Sequence, residues 1–189
     1  MVGLMQVMDA QALVGVANLS HQLGLTSVMY WVSRAGNFGE CWIVLGVVLL
    51  CFKRSRWAGL AVLLAIALSS MLGPGLLKTL VARPRPCSVM LPDFLQSCPQ
   101  SFSFPSGHTA AAFAAATVLW VRKSPLAIPV FALAFLMGVS RMALFVHYPT
   151  DVMAGALLGI ASGIAASMLV ETLRTWYERR HAALGEKNL

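Results

Sequence analysis

Charged residues are scarce in this 189-residue sequence, in which Asp, Glu, Lys and Arg make up 11% and hydrophobic residues 58%. This composition excludes an ordinary soluble domain, where about a quarter of the residues are charged. Because a bilayer offers no water to pair with the backbone, long apolar runs without β alternation must form helices. The sequence therefore predicts an all-α, polytopic membrane helix bundle that forms a single domain over residues 1–189.

Long polar linkers, low-complexity segments and internal repeats are also missing. The net charge of +7 is spread over short connections, so we expect no nucleic-acid partner. By the positive-inside rule, basic residues at alternate ends of the apolar runs mark cytoplasmic loops. These residues are Lys53, Arg54, Arg56, Arg122, Lys123, Arg174, Arg179, Arg180 and Lys187. The opposite ends of the runs then face the non-cytoplasmic side of the cytoplasmic membrane.

Five apolar runs predict transmembrane helices, at residues 37–52, 57–79, 107–121, 126–145 and 149–173. The first run follows a capping-box pattern, Asn37 with Glu40, and the second should kink at Pro74. An outer loop, residues 83–105, and a polar cytoplasmic tail, residues 174–189, complete this part of the chain. Arg83, Cys87 and Asp93 belong to no motif, and we interpret them as loop residues.

The segment 1–36 lacks the basic leading region and clear cleavage site of a secretory signal. Wound as a helix, it separates polar from apolar residues. The polar side carries Gln11, Asn18, His21, Gln22 and Thr26, and the apolar side Leu13, Val16, Ala17 and Leu23. We expect an amphipathic helix on the outer surface of the membrane, and the alternative is a sixth spanning helix.

Small residues mark two of the predicted spans. Alanines fill most of residues 110–116, which predicts that the third span lies at the centre of the bundle. In the fifth span, Gly155, Gly159 and Gly163 recur every four residues. We expect this glycine face to pack against another helix of the same chain, although a homodimer face is the alternative.

Cysteine and carboxylate patterns give no sign of a metal site. The cysteines have no metal-ligand spacing: Cys41, Cys51, Cys87 and Cys98. The carboxylates expected on the outer side, Glu40, Asp93 and Asp151, form no cluster suited to Mg²⁺, so we expect neither metal nor other cofactor. Cys87 and Cys98 flank the outer loop and could either form a disulfide or remain two thiols.

Three polar clusters lie at the outer ends of the predicted helices. The first is Lys78, six residues, then Arg85-Pro86; the second is Phe104-Pro105-Ser106-Gly107-His108; the third is Ser140-Arg141, five residues, His147, three residues and Asp151. This pattern resembles the type 2 phosphatidic acid phosphatase superfamily, whose membrane members remove phosphate from lipid phosphates and lipid diphosphates. The resemblance covers residues 78–151 and rests on all three motifs in order.

The residue types in these clusters suit phosphate-ester cleavage. His147 is the expected nucleophile, because a neutral imidazole can attack phosphorus to give a phosphohistidine. Asp151 would fix its tautomer, and His108 would protonate the leaving group and then activate water. Positive charge and hydrogen-bond donors for the phosphate oxygens are expected from Lys78, Arg85, Ser106, Gly107 and Arg141. The resemblance implies the same roles at these positions.

The expected function is that of an integral-membrane lipid phosphatase acting on the outer face of the membrane. The short chain looks most like bacterial members that convert undecaprenyl diphosphate to undecaprenyl phosphate in recycling of the cell-wall carrier. Alternatives within the family are phosphatases for phosphatidylglycerol phosphate, phosphatidic acid or lipid A. Alternatives of another class are an anion transporter and a non-catalytic protein that binds lipid phosphates. Tyr148 and Trp31 are interpreted as interfacial aromatic residues.

Overall fold

The computed structural model of the chain describes residues 2–89 and 98–186. Within these ranges every regular element is a helix, which confirms the predicted all-α class. The α-helices are α1 (Val2–Gln22), α2 (Thr26–Ala35), α3 (Glu40–Cys51), α4 (Arg56–Ser70), α5 (Lys78–Val81), α6 (Pro86–Val89), α7 (Gly107–Val121), α8 (Ala127–Ala143) and α9 (Pro149–Glu186). Asp93, with the rest of the loop over 90–97, and Lys187 lie outside the described residues.

Two stretches of the described chain, Arg56–Val89 and Pro149–His181, are long and apolar enough to cross a membrane. A third crossing results if α2 and α3, which are bent by 46°, are taken as one span. Two further apolar helices, α7 and α8, have 15 and 17 residues, which is shorter than the roughly 20 residues of a typical span. The apolar helices therefore indicate a membrane protein, and the number of five membrane crossings stays a prediction.

Helix α7 is the centre of the bundle, as its alanine content predicts. It packs against α4, α8 and α9, and its residues Ala110, Ala112, Ala114 and Ala116 are at most 1% exposed. Small side chains bring the neighbouring backbones close to α7. This central helix begins at Gly107, inside the second polar cluster, so its N-terminal end carries the cluster into the middle of the bundle.

The glycine face of α9 packs against α7, which confirms the interpretation as packing within the chain. A β-carbon at Gly155 would lie 2.5 Å from the Ser106 carbonyl oxygen, and one at Gly159 would lie 2.3 Å from that of Ala110. Contacts this short require the backbones to move apart. Because α7 already occupies this face, the glycines do not form an open surface for a second copy of the chain.

We expect Gly159→Ala to lower the free energy of unfolding by about 1–3 kcal/mol, because the new methyl group cannot fit against α7. Thermal unfolding of the detergent-purified protein measures this effect. Gly15→Ala in α1 is the matched control, since a β-carbon there meets nothing within 4 Å. The control should be neutral or stabilising by up to about 1 kcal/mol. Equal melting temperatures for the two variants would contradict the close packing of α7 and α9.

The N-terminal segment consists of two helices, with a turn at Gly24 (φ +66°) between them. Leu13 and Ala17 are buried and pack with Phe145, next to the start of α9. The predicted apolar side is therefore right for these two residues. It is wrong for Leu23, which is 61% exposed because the helix has ended one residue earlier.

The capping-box prediction at Asn37 is wrong. A short 3-10 turn, Asn37–Gly39, precedes α3, and no side chain caps the start of that helix within the described part of the chain. Asn37 instead contacts a histidine on α7, described below. Around Pro74 the second span widens into a π-helical segment, Met71–Leu77, which accommodates the missing backbone N–H. Helix α9 continues through the predicted polar tail to Glu186.

A disulfide joins Cys87 and Cys98, whose Cα atoms are 5.6 Å apart. This resolves the two alternatives left by the sequence in favour of the bonded pair. Cys87, interpreted as a loop residue, lies in the short helix α6 and takes part in this bond. The disulfide ties the segment that follows Cys98, which includes Ser101 and Ser103, to the end of α6.

Candidate active site

A cavity of about 480 Å³ brings the three predicted clusters together. Among the residues that line it are Lys78, Arg85, Gly107, His108, Arg141 and His147. Asp151 is fully buried behind the wall of the cavity. Segments that are far apart in the sequence thus contribute cations and both predicted histidines to one space.

His147 lies between α8 and α9 and is 1% exposed. Its Nε2 is 3.2 Å from Nη1 of Arg85. A guanidinium group has only donors, so Nε2 must accept this hydrogen bond and the ring proton must lie on Nδ1. Burial lowers the pKa of His147 to about 3, against the opposing effect of its contact with Asp151. The imidazole is therefore neutral at physiological pH, with the unprotonated nitrogen on the side of Arg85.

Ser103 lies between His147 and Asp151. Its hydroxyl oxygen is 3.4 Å from Nδ1 of His147 and donates a short hydrogen bond to Oδ2 of Asp151. The direct separation between Nδ1 and Oδ2 is 3.7 Å, which is too long for a good hydrogen bond. The Ser103 hydroxyl therefore connects the predicted pair. It accepts a hydrogen bond from the Nδ1–H of His147 and donates one to the carboxylate of Asp151.

Arg85 is fixed on several sides. Its Nε donates to the Ser101 carbonyl oxygen at 2.6 Å, its Nη2 to the Ser101 hydroxyl at 2.9 Å, and its Nη1 to the Val146 carbonyl oxygen at 2.9 Å. Arg141 is 7% exposed and donates a short hydrogen bond to the Ser33 hydroxyl on α2. Both guanidinium groups are thus held by neutral oxygen atoms, which leaves their positive charge available to an anion in the cavity.

His108 lies in the first turn of α7, and its Nε2 is 3.0 Å from Oδ1 of Asn37. Gly107 lets Pro74 approach closely, since a β-carbon there would lie 3.1 Å from Cγ of the proline. Ser106 is not placed as predicted. Its N–H donates to the Asp151 carbonyl oxygen at 3.0 Å, and its hydroxyl is 2.9 Å from that of Thr109. Ser106 is fully buried, so it joins α7 to α9 and does not present a donor to the cavity.

A sequence model described as the PAP2 superfamily matches residues 58–175, which is more than half of the chain. The chain belongs to the PAP2 superfamily. This confirms the resemblance drawn from the three motifs and makes the protein a membrane lipid phosphatase of the PAP2 type, a phosphoric ester hydrolase.

Individual relatives agree with this assignment. Undecaprenyl-diphosphatase from Sulfolobus acidocaldarius is 33% identical over 138 residues, which cover 71% of this chain and 66% of that protein. The crystal structure of Aquifex aeolicus LpxE has a TM-score of 0.70 and 34% identity, covering 82% of this chain and 92% of that one. A PAP2-type phosphatidylglycerolphosphate phosphatase from Bacillus subtilis has a TM-score of 0.70 and 28% identity, covering 89% and 87%.

Four polar residues around the site of this PAP2 phosphatase were not predicted from the sequence. They are Asp9, Asn37, Ser101 and Ser103. Ser103 directly precedes the second motif, a position that could have suggested it. Asp9 is the lone acidic residue in segment 1–36, and an isolated carboxylate in an apolar stretch is itself a signal of function. The carboxylates expected on the outer side therefore did not include Asp9, which lies beside the site.

Arg83 lies between α5 and α6, in agreement with its interpretation as a loop residue, and it also lies beside the site. Its guanidinium group donates to Oδ1 of Asp151 at 2.7 Å and to Oδ2 of Asp9 at 2.6 Å. The Tyr148 ring lies 3.9 Å from the guanidinium carbon, so this predicted interfacial aromatic residue packs on Arg83. The site of this PAP2 phosphatase therefore extends from the cavity to the N-terminal helix α1.

Proposed function

We propose that this PAP2 phosphatase cleaves a lipid phosphate or diphosphate through a phosphohistidine on His147. The observation that carries the proposal is the hydrogen bond from Arg85 to Nε2 of His147 at 3.2 Å. It requires an unprotonated ring nitrogen beside a cavity that Lys78, Arg85 and Arg141 also line. A nucleophile and the positive charge that a phosphoryl group needs thus occur together.

In the proposed reaction, Nε2 of His147 attacks phosphorus and the bond from phosphorus to the leaving oxygen breaks. Positive charge then develops on the ring, where the Asp151 carboxylate stabilises it with the help of Ser103. The cations surround the equatorial oxygens, where negative charge spreads in the transition state. Asp151 therefore acts on the nucleophile, and Lys78, Arg85 and Arg141 act on the phosphoryl group.

His108 is the proposed acid and base. It lines the same cavity as His147, and its ring is oriented by the contact with Asn37. It would first protonate the leaving oxygen and then remove a proton from the water that hydrolyses the phosphohistidine. Gly107, at the start of α7, would place the phosphate close to the positive end of the helix dipole.

For the substrate, we propose undecaprenyl diphosphate, which is converted to undecaprenyl phosphate. The support is the name of the relative from Sulfolobus acidocaldarius, undecaprenyl-diphosphatase. Three cations at the cavity suit a terminal diphosphate, which carries more negative charge than a phosphodiester. Phosphatidylglycerol phosphate is the second candidate, because the Bacillus subtilis neighbour is a phosphatase for that lipid. Phosphatidic acid and lipid A are further candidates within the family.

We propose that the reaction takes place on the outer face of the cytoplasmic membrane. The basic residues Arg122 and Lys123 follow the end of α7 opposite to the site, as expected for a cytoplasmic loop. The disulfide between Cys87 and Cys98 lies near Arg85 and suits an oxidising compartment. We further propose five crossings, with α1 lying along the outer ends of α8 and α9.

Phosphate release by the detergent-purified protein tests the proposal. We expect release from undecaprenyl diphosphate at a higher kcat/KM than from phosphatidylglycerol phosphate or phosphatidic acid. EDTA should leave the rate unchanged, because side-chain cations take the role that a metal ion has in other phosphatases, and vanadate should inhibit competitively. Strong inhibition by EDTA would contradict this scheme. Phosphate release from phosphatidylglycerol phosphate alone would overturn the proposed substrate. If no lipid released phosphate, the result would favour a binding protein or a transporter.

A further inference from the structure

Asp9 is a buried carboxylate that connects the N-terminal helix to the site. It lies on α1, is 6% exposed, and belongs to none of the three motifs. Its Oδ1 accepts a hydrogen bond from the Thr150 N–H at 3.0 Å, and its Oδ2 accepts from the Thr150 hydroxyl and from Arg83. The family match begins at residue 58, so Asp9 lies outside it.

Arg83 lies between two carboxylates. Its Nη2 is 2.6 Å from Asp9, and its Nη1 is 2.7 Å from Asp151. The aspartate side chains are 4% and 0% exposed, whereas the arginine is 21% exposed. Two negative charges therefore share one positive charge in a region largely shielded from water, where charge interactions are strong.

A cation beside Asp151 opposes the role proposed for this carboxylate. The negative charge of Asp151 stabilises the positive charge that develops on His147, and Arg83 at 2.7 Å partly cancels that effect. A second carboxylate on the far side of Arg83 offsets the charge of the guanidinium group. The Asp9 charge therefore bears on how strongly Asp151 acts on His147, although Asp9 does not touch the cavity residues named above.

We propose that Asp9 is a positioning residue for the reaction, whose carboxylate neutralises and holds Arg83 so that Asp151 retains its full effect on His147. This inference rests on the proposed phosphohistidine mechanism. It gives helix α1 a part in the chemistry, in addition to covering the outer ends of α8 and α9. The alternative is a purely structural role, in which Asp9 only holds α1 against the backbone at Thr150.

A double-mutant cycle separates these alternatives. The variants are Asp9→Asn, Arg83→Gln and both together, and the readout is the rate of phosphohistidine formation from undecaprenyl diphosphate radiolabelled on its terminal phosphate. We expect Asp9→Asn alone to slow this step by about 10- to 100-fold, by analogy with the loss of outer-shell partners behind metal-ligating histidines. KM should stay unchanged, because Asp9 is not among the described residues that line the cavity.

Once Arg83 is replaced, Asp9 has no cationic partner left among the described residues. Asp9→Asn should therefore have no effect in the Arg83→Gln background, within the roughly twofold error of such cycles. This comparison holds even if the single Asp9→Asn variant fails to fold, because the double variant leaves no unpaired guanidinium group behind. A further tenfold loss in the double variant, or a wild-type rate in Asp9→Asn, would overturn the inference.

Glu178→Gln is the matched control, since it removes an exposed carboxylate paired with Arg174 at the opposite end of α9. This variant should form the phosphohistidine at the wild-type rate, and loss of rate would show a non-specific effect of charge. Failure of the proposed function has a different signature. If the wild-type protein itself forms no phosphohistidine with this lipid, the proposed function fails in its substrate or its mechanism, whereas labelled wild type with an unaffected Asp9→Asn variant refutes the role of Asp9 alone.

Discussion

His147→Ala is expected to abolish phosphate release, lowering kcat by at least about 10⁴-fold, as loss of a catalytic nucleophile does in hydrolases. The physical reason is that, among the described residues, no other imidazole nitrogen contacts Arg85. Phosphate release from undecaprenyl diphosphate at saturating substrate measures the effect. Because the alanine leaves space next to the cavity, added imidazole should restore part of the rate, which shows that the variant is folded.

The matched control is His181→Ala, which removes an exposed histidine that packs on Tyr177 near the C-terminal end of α9, far along the helix from the site. Its kcat should equal that of the wild type. A His147→Ala variant with a rate within about tenfold of the wild type would remove His147 as the nucleophile, since this loss is far smaller than the covalent route allows. The remaining histidine of the cavity, His108, would then be the candidate.

Asp151→Asn is expected to slow phosphohistidine formation by about 10³- to 10⁴-fold, by analogy with the buried aspartate of a hydrolytic triad. An amide at this position can donate a hydrogen bond toward Ser103 or the ring, which favours the wrong tautomer of His147. The change also leaves Arg83 with Asp9 as its remaining carboxylate partner among the described residues. Rapid quenching of a single turnover measures the step directly.

Glu171→Gln serves as control for the aspartate, because it removes an exposed carboxylate that pairs with Arg122, beyond the end of α7 opposite to the site. The control should leave the single-turnover rate unchanged. An unchanged rate in Asp151→Asn would rule out both the tautomer role and the electrostatic role of this carboxylate. Binding of the substrate should be little affected in either variant, so the effect is expected in kcat and not in KM.

The predicted site residues lie at short, regular spacings that can be recognised in the sequence. Asp151 follows His147 by four residues, and this short separation at the start of α9 keeps the two side chains close, with 3.7 Å between Nδ1 and Oδ2. The glycines of α9 recur every four residues and therefore form one face, which meets α7. Patterns of this kind predicted the helices and the site cations because each depends on local periodicity and on motif spacing.

The residues that were missed depend on packing between distant segments. Asp9 is 74 residues from Arg83 and 141 from Thr150, so their contact follows from the way α1 packs on the bundle. Asn37 has the local pattern of a helix cap, yet its partner His108 is 71 residues away. Local helix propensity cannot distinguish a helix cap from a distant contact at Asn37, because tertiary packing determines which of the two forms.

The number of crossings is a related case. Hydrophobic runs predicted five spans, but the runs of α7 and α8 fold into helices of 15 and 17 residues. Each rises about 1.5 Å per residue, which gives less than the roughly 30 Å of a bilayer core. Hydropathy reports apolar composition, whereas the length of a helix depends on where turns and the site residues interrupt it.

The most direct test of the account is to identify the residue that carries phosphate during turnover. The wild-type protein would be quenched in alkali after brief reaction with radiolabelled undecaprenyl diphosphate, digested, and its phosphopeptides analysed by mass spectrometry. The account predicts phosphate on His147, in a bond that is stable to alkali and cleaved by acid. Phosphate on His108 or on a serine, or turnover without any phosphorylated residue, would contradict it.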